Sequence, residues 1–523
     1  MMTYTAISFA PVQGFIEKSR KLRDLFGASL ILSYLSEKIA EAVAKLPDCE
    51  VISPALINVQ EGMPNRILVR GFVDRNDVSN ALSDAWKEVL SVCQLWLESN
   101  LDFAPEDFCW AQEWEKWQRY TWELFWGQGE TSGAAMLDLE QRKLKRDWVG
   151  INWTGDSSSL TGTDAIAWHR LGQLNSEPGR ALTPLEKREL ESFYCQLAWV
   201  LDNPDVNRAK DAPSNRDKIE GRYIATNERL SIPELVKRLV TYEAIAQQLG
   251  MTPLTEGFTD ISQKREQWMG WFMGDGDEVG NKLKSISDDV GQQAFSAAMR
   301  EWGQTFKQTF PKELGRVIYA GGDDFLGIVY SSQLHTKDLS SQALMWLNQF
   351  KQQWQTHRQD INVSMGFIWA ASRVPQRDIL QHCREAEKLA KTKGRDRVTL
   401  RVVFNSGQFV QWTCPWDWLV ILTKYHDRSG GQNWTHLYND WAHLKSRHSI
   451  RFHEVKHNPI DQDLALAILN LYFDALDPKF DGLGQEIQKK SEWKAIVGDN
   501  SPGSIVQWVD DLVQVGWQLC SNT

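Results

Sequence analysis

Four aspartates in two short glycine-bounded stretches are the residues of this chain best suited to chemistry: Gly274-Asp275-Gly276-Asp277 and Gly321-Gly322-Asp323-Asp324. The second stretch lies between two apolar runs, Val317-Ile318-Tyr319-Ala320 and Phe325-Leu326-Gly327-Ile328-Val329-Tyr330. That pattern predicts a β-hairpin with two adjacent carboxylates at its tip. Adjacent carboxylates repel one another unless a cation lies between them, and Gly321 and Gly322 let a large ligand come close to the backbone. Oxygen ligands of this kind hold divalent cations against the phosphates of a nucleotide. The expected chemistry is metal-assisted phosphoryl transfer, in a chain with no G-x-x-x-x-G-K-[ST] phosphate loop.

The first stretch follows a predicted strand over 268–273. The loop from Gly274 to Asn281 then opens a helical pattern, so the backbone N–H groups around Gly276, Asp277, Gly280 and Asn281 are expected to face phosphates. Two-metal transfer requires carboxylates that converge on cations ~4 Å apart. A solvated Asp-rich or Gly-rich turn is the ordinary reading of either stretch alone; their presence in one α+β unit turns the balance toward a site. Lys391 and Lys393 fall in the last turn of a predicted helix over 376–393. They complement the helix dipole and suit a clamp on triphosphate oxygens.

The elements that position these residues follow a repeated order. The predicted order is a strand over 268–273, a helix over 288–310, the hairpin, a helix over 340–355, a strand over 363–369, the 376–393 helix and a strand over 398–404. An earlier stretch follows the same plan: a strand over 3–10 with period-two alternation, a helix over 12–35, strands at Val51-Ile52 and Ile67-Leu68-Val69, and a helix over 78–98. Strand, helix, strand, strand, helix opens a ferredoxin-like unit. The predicted class is α+β, with two ferredoxin-like domains (1–127 and 266–405), a helical and loop-rich linker (128–265) and a C-terminal α-helical domain (406–523). In the linker, helices are expected over 185–201 and 232–249.

Bulk properties narrow the function. The chain has 523 residues, 42% hydrophobic and 24% charged, with a formal net charge of −10. Proteins that hold nucleic acid by their own phosphate contacts are usually basic, so RNA contact is expected to be local or shared with partner subunits. The basic residues Lys18, Arg20, Lys21 and Arg23 are either a solvated helix face or a meeting point for RNA or an acidic partner. The 25 tryptophans suit helix and core packing, and also interfaces. Seven cysteines without any C-x-x-C pair read as reduced thiols of a cytoplasmic protein and give no zinc ribbon. No apolar run approaches the ~20 residues of a membrane span. His453-Glu454-Val455-Lys456-His457 matches H-E-x-x-H, but Pro459 follows and no third ligand is evident, so it reads as coincidence. His426-Asp427 reads as part of a solvated, His-rich surface.

Several blocks, in order, resemble the large palm-domain subunit of type III CRISPR effector complexes. Ile7-Ser8-Phe9-Ala10-Pro11-Val12-Gln13-Gly14-Phe15-Ile16 and Ser19-Arg20-Lys21-Leu22-Arg23-Asp24-Leu25 resemble the opening of that family's first palm. The two acidic stretches resemble the acidic loop and signature of its second palm, and Ser364-Met365-Gly366 and Ala386-Glu387-Lys388-Leu389-Ala390-Lys391 a later strand and helix. The resemblance implies cyclic oligoadenylate synthesis from ATP when target RNA pairs with guide RNA in the assembled complex. Asp275, Asp323 and Asp324 would hold Mg²⁺ or Mn²⁺, and Lys391 would contact phosphates. Other effector subunits, guide RNA and target RNA are the implied partners.

Two departures accompany the resemblance. The palm block begins at residue 4, so no HD nuclease domain and no DNA cleavage are expected. Glu228-Arg229-Leu230-Ser231 resembles half of the family's zinc ribbon with Ser231 at a cysteine position, and Ser158-Ser159-Leu160-Thr161-Gly162 an eroded other half, so the linker is expected to fold without zinc. Two other functions stay open: a catalytically silent scaffold that positions guide and target RNA, and a stand-alone cyclase of the diguanylate type.

Overall fold

The computed structural model describes residues 3–56, 62–145, 155–173, 181–204, 209–213, 216–254, 267–286, 288–331, 335–427, 433–447, 459–473, 493–499 and 503–521, with Trp153, Gly431 and Ser501. The H-E-x-x-H stretch at 453–457 lies outside the described residues. The chain divides into two units, Met1–Ser262 with Ile286–Arg300, and Gln263–Ser285 with Glu301–Thr523. Among the described residues no helix is long and apolar enough to cross a membrane.

In the first unit, β1 (Tyr4–Ala10) leads through α1 (Val12–Glu17) and α2 (Leu22–Ala44) to β2 (Glu50–Ser53) and β3 (Arg66–Arg70). Then come α3 (Arg75–Asn100), α4 (Ala111–Tyr120), β4 (Glu123–Gly129), α5 (Ser132–Lys143), α6 (Pro184–Asp202), α7 (Ile232–Leu239) and α8 (Glu243–Gln248). The antiparallel sheet has the ferredoxin-like order β2-β3-β1-β4. Period-two alternation sorts β1 between two cores: Ile7 and Phe9 pack with Ile31, Leu35 and Trp86 of the helices on one face, and Tyr4 and Ala6 pack with Ala135 and Leu139 of α5 on the other. The closing strand β4, which carries Trp126, is not evident in the sequence because its tryptophans continue a helix-like spacing from Trp110.

Two expected helices are each divided in two. The helix over 12–35 breaks after Glu17, and the Asp24 carboxylate accepts the backbone N–H groups of Arg20 and Lys21 at 2.9 Å each, a capping arrangement that restarts the helix. The 232–249 helix is likewise split between α7 and α8. Three of the four basic residues of this region are engaged within the unit: Lys18 with Asp164 at 2.9 Å, Lys21 with Glu228 at 3.1 Å, and Arg23 over the Tyr223 ring at 3.8 Å.

In the second unit the order is β5 (Met269–Gly276), α9 (Val279–Ser285), α10 (Asp289–Thr309), β6 (Gly315–Ala320), β7 (Asp324–Val329), α11 (Thr336–Trp354), β8 (Val363–Ala370), α12 (Gln376–Thr392), β9 (Arg397–Val403) and β10 (Phe409–Pro415). Among the described residues α13 (Thr435–Ser446), α14 (Pro459–Tyr472), α15 (Trp493–Val497) and α16 (Ser504–Cys520) follow. The six-stranded sheet has the order β10-β9-β8-β5-β7-β6. Its β8-β5-β7-β6 part is again ferredoxin-like, extended by β9 parallel to β8 through α12. The strand β10 lies where only helices are expected; its Phe409-Val410-Gln411-Trp412 segment is too short to show alternation against the apolar residues that follow.

The first part of α10, assigned to the second unit by sequence, clusters with the first. Asp289 accepts from Tyr4 Oη at 3.0 Å and Arg70 Nη1 at 3.1 Å, and Arg300 Nη1 donates to the Gly62 carbonyl at 2.8 Å. From Trp302 on, the helix packs with the second unit, Trp302 against Trp354 at 4.6 Å and Phe306 against Phe325 at 5.6 Å. An apolar stripe reports that a helix face is buried, not which sheet covers it.

Candidate active site

The central strand β5 carries the first acidic stretch further than the sequence suggests. Gly274, Asp275 and Gly276 are strand residues, not loop. Gly274 is required there: a Cβ would lie 2.2 Å from Cζ of Phe325, the residue opposite it on β7. The register that follows sets Asp275 directly opposite Asp324. Residues opposite one another in an antiparallel pair project from the same face, with Cα atoms ~5 Å apart. Asp323 occupies the hairpin turn, where its carbonyl accepts the Gly276 N–H at 2.9 Å, and the Gly321 N–H donates to the Asp324 carbonyl at 3.0 Å. Gly322 takes φ 136°, a left-handed region open to glycine. Thus Asp275, Asp323 and Asp324 gather at one end of the β5–β7 pair.

Helix α12 covers the same face. Lys391 Nζ is ion-paired with Asp275 Oδ2 and lies 2.6 Å from Glu387 Oε1. Burial lowers the Lys391 pKa, but the hydrogen bonds to Asp275 and Glu387 outweigh it, so the ammonium is held above its usual range. Lys393 is elsewhere: it lies 3.6 Å from Asp499. Positions two apart on a helix project from different faces, so the two lysines have separate surroundings.

Electrostatics single out Asp324. Burial of its carboxyl, then repulsion from Asp323 and from Asp275, push it up to about 7. Asp324 itself is exposed at the strand end, so solvent tempers the burial contribution and the repulsion from Asp323 and Asp275 is the firmer cause; a bound cation would relieve it. Named here are four carboxylates (Asp275, Asp323, Asp324 and Glu387) and one cation, Lys391. Hard oxygen donors with excess negative charge suit a divalent cation. Among the described residues no three acidic, imidazole or thiol groups already stand in a metal-holding arrangement, and Lys391 occupies Asp275; metal binding there requires Lys391 to release it.

Asp277 does not join this cluster. It is 5% exposed, takes a hydrogen bond from Ser364 Oγ at 2.8 Å and accepts the Asp396 N–H at 2.9 Å. Asp396 and Arg395 follow Gly394 with φ of 49°, 62° and 124°, so Asp277 ties down a left-handed turn immediately after α12. Gly280 and Asn281 lie in α9, where a Cβ at Gly280 would meet open space.

Two residues near the site were not singled out by sequence. Glu387 is pushed up by burial against the pull of Lys391; its signal was the Glu-to-Lys i,i+4 spacing on α12. Tyr319 pairs with Leu326, two residues beyond Asp324, and so shares its face. Burial, then Asp324, Asp275, Glu387 and Asp323, push its phenol well up, keeping it neutral. Its signal was its place one residue before Ala320 and the turn.

Residues 268–399 match the family model of the Cas10/Cmr2 second palm domain, and residues 4–91 that of the CRISPR-associated protein Cmr2 N-terminal region. Both matched regions are therefore Cas10-like. The fold of this Cas10-like chain is similar to one in the cryo-EM structure of the apo state of type III-B Cmr-beta, with TM-score 0.59 and 10% identity over 98% of this chain and 82% of that one. It is also similar to chains in crystal structures of the Csm1–Csm4 cassette: with cA4 (TM-score 0.49, 14% identity, 100% of this chain and 70% of that one) and with one ATP (TM-score 0.47, 14% identity, the same coverage). No curated protein matches the Cas10-like sequence.

Proposed function

We propose that this Cas10-like chain is a nucleotidyltransferase of a type III CRISPR ribonucleoprotein, joining ATP into cyclic oligoadenylates when target RNA binds. The observation that carries the reading is the register of β5 and β7, which sets Asp275 against Asp324 with Asp323 at the adjacent turn. The second-palm family match over the same residues supports it. Other effector subunits, guide RNA and target RNA are the proposed partners.

Asp275, Asp323 and Asp324 would hold Mg²⁺ or Mn²⁺, which supplies activation of a ribose 3′-hydroxyl and charge neutralisation at the departing pyrophosphate. The chain's own residues do the rest. Lys391 would turn its ammonium from Asp275 to phosphate oxygens. Glu387 keeps Lys391 on the acidic face of the sheet. Gly321 and Gly322 leave the hairpin tip without side chains, so the triphosphate reaches the backbone. Asp277 fixes the turn after α12 and with it the end of the helix that carries Lys391.

Incubation of the assembled complex with target RNA, Mn²⁺ or Mg²⁺ and labelled ATP tests this. Cyclic oligoadenylate is expected, with at least a 100-fold loss in Asp323→Ala/Asp324→Ala. Absence of product, or product untouched by that variant, overturns it. A second reading is a silent scaffold, and the specific observation favouring it is the Lys391–Asp275 ion pair, which neutralises a would-be metal ligand. Target-RNA binding without product supports that reading.

A further inference from the structure

Two pairs of residues in the linker of the first unit, each with two residues between its members, converge. Ser158 and Thr161 form one pair, and Ser231 and Glu234, at the start of α7, form the other. Their backbones are laced together: the Ser159 N–H donates to the Arg229 carbonyl at 2.7 Å, and the Arg229 N–H to Ser159 Oγ at 2.8 Å. Across this lacing one carboxylate collects three donors. Ser158 Oγ donates to Glu234 Oε1 at 3.1 Å, Thr161 Oγ1 to the same oxygen at 2.8 Å, and the Ser231 N–H to Glu234 Oε2 at 2.7 Å. The cluster is shielded from water, Ser158 being 3%, Ser231 0% and Glu234 1% exposed. Gly162 follows Thr161 with φ 69° and turns the first loop back on itself, its N–H donating to the Ser158 carbonyl at 3.1 Å.

Two x-x-spaced pairs facing one another are the frame on which four cysteines bind zinc. The donor set here does not fit that metal. Three of the four side chains are hydroxyls or a carboxylate already committed to one another, and the fourth, Ser231 Oγ, is buried at the helix start and makes no bond to the other pair. A capping box explains only half of Glu234, since its Oε2 serves the helix start while its Oε1 serves a loop about seventy residues away in sequence.

We infer that these two pairs form a metal-free knuckle, in which the Glu234 carboxylate makes the cross-link that a zinc ion makes between two pairs of cysteines. The four positions differ in consequence. Glu234 is the cross-link, Ser158 and Thr161 are its donors, and the Ser231 hydroxyl makes no bond across to the other pair.

Thermal unfolding of the full chain, with metal analysis, tests this. The wild-type chain should carry no stoichiometric zinc and keep its melting temperature in EDTA; one zinc per chain, or a chelator-sensitive melt, overturns the inference. Glu234→Ala should lower the melting temperature by roughly 5 °C, from the loss of charge-assisted hydrogen bonds in a large unit, and Ser231→Ala by less than about 1 °C. Equal effects, or an unmoved Glu234→Ala, overturn it. The variant Ser158→Cys/Thr161→Cys/Ser231→Cys/Glu234→Cys should bind one zinc per chain, with a melt that falls on chelation; a folded variant that binds none overturns the shared frame. If that variant does not accumulate, the contrast between Glu234→Ala and Ser231→Ala decides by itself. None of these outcomes depends on catalysis, so the knuckle stands or falls apart from the proposed nucleotidyl transfer.

Discussion

Asp275 and Asp324 are paired directly across the neighbouring strands β5 and β7 of the second sheet, on the face that α12 covers at its Asp275 side. Two carboxylates cannot share that register without raising each other's proton affinity or attracting a cation.

The first consequence concerns pH. The Asp324 carboxyl is pushed up to about 7 by burial, Asp323 and Asp275. A carboxyl raised in the folded state costs stability only where it is ionised, so the cost is absent well below its ordinary pKa and is fully present above about 7. Asp324→Asn should therefore raise the metal-free melting temperature at about pH 8, and the gain should fade as pH drops through about 7. Cation affinity in the wild type follows the same ionisation: Mn²⁺ must displace the Asp324 proton, so its apparent affinity should rise between about pH 6 and about pH 8. Thermal shift with Mn²⁺ across that range measures both. An Mn²⁺ affinity independent of pH counts against metal binding by Asp324.

Lys391 gives a second prediction. Its ammonium neutralises Asp275 in this structure and lies next to Glu387. Lys391→Met keeps the stem and removes the charge. It should strengthen Mn²⁺ binding to the free chain by exposing Asp275, and lower kcat/KM for ATP roughly 10- to 100-fold through loss of a phosphate contact. Lys393→Met, whose partner is Asp499, should leave kcat/KM within about twofold. Steady-state kinetics of the assembled complex separates the two lysines.

How much of this was legible in the sequence depends on the kind of signal. The hairpin and its acids were legible because apolar strands bounded by glycines are a local pattern. The meeting of Asp275 with Asp324 follows from strand order, which the βαββαβ sequence of elements implies. The fate of Asp277 was not legible. A buried Asp on Ser364 and the Asp396 N–H and an exposed Asp beside a metal look alike in one dimension, and the distinction lies in a contact across more than a hundred residues. The strands β4 and β10 were missed for another reason: tryptophan-rich or mixed segments suit either period. The shared helix α10 was read as one element because its apolar stripe is continuous, while the polar contacts of Asp289 and Arg300 that bind it to the first unit are long-range.

Asp277 supplies a third prediction. Its carboxylate holds Arg395 and Asp396 in the left-handed region, where each non-glycine residue costs roughly 1 kcal/mol or more. Asp277→Ala leaves the Asp396 N–H and the Ser364 hydroxyl without their acceptor and should destabilise the chain by about 2–4 kcal/mol. Arg395→Gly in the same background should recover about 1 kcal/mol of that loss. Chemical denaturation provides the measurement. If Arg395→Gly brings no recovery, the carboxylate is not what holds the turn.

The buried charges of the first unit give the last prediction. Arg238 is fully enclosed and pairs with Asp24 at 2.8 Å and Glu228 at 2.7 Å. Burial pushes both carboxyls up, but the guanidinium outweighs it and holds both below their ordinary ranges. Carboxyls depressed in the folded state contribute stability that is present above their ordinary pKa and is lost as pH falls through the folded one. Arg238→Ala reverses the sign. Asp24 is then buried without its guanidinium and Glu228 keeps only Lys21, their proton affinity rises, and the variant loses stability as pH rises from about 4 to about 7. At about pH 7 the loss should be about 3–5 kcal/mol, the usual effect of removing one partner from a buried ion pair, and it should narrow steadily toward about pH 4. Asp24→Leu/Glu228→Leu/Arg238→Met removes the three buried charges together, leaving the partly exposed Lys21 to solvent, and should restore most of that stability with a flat pH profile, since apolar replacement of a whole buried ion group is often neutral or better. Urea unfolding of the three chains at several pH values reads these outcomes directly, and an Arg238→Ala penalty equal at pH 4 and pH 7 would show that packing of the Arg238 stem, not its charge, is what the first unit needs.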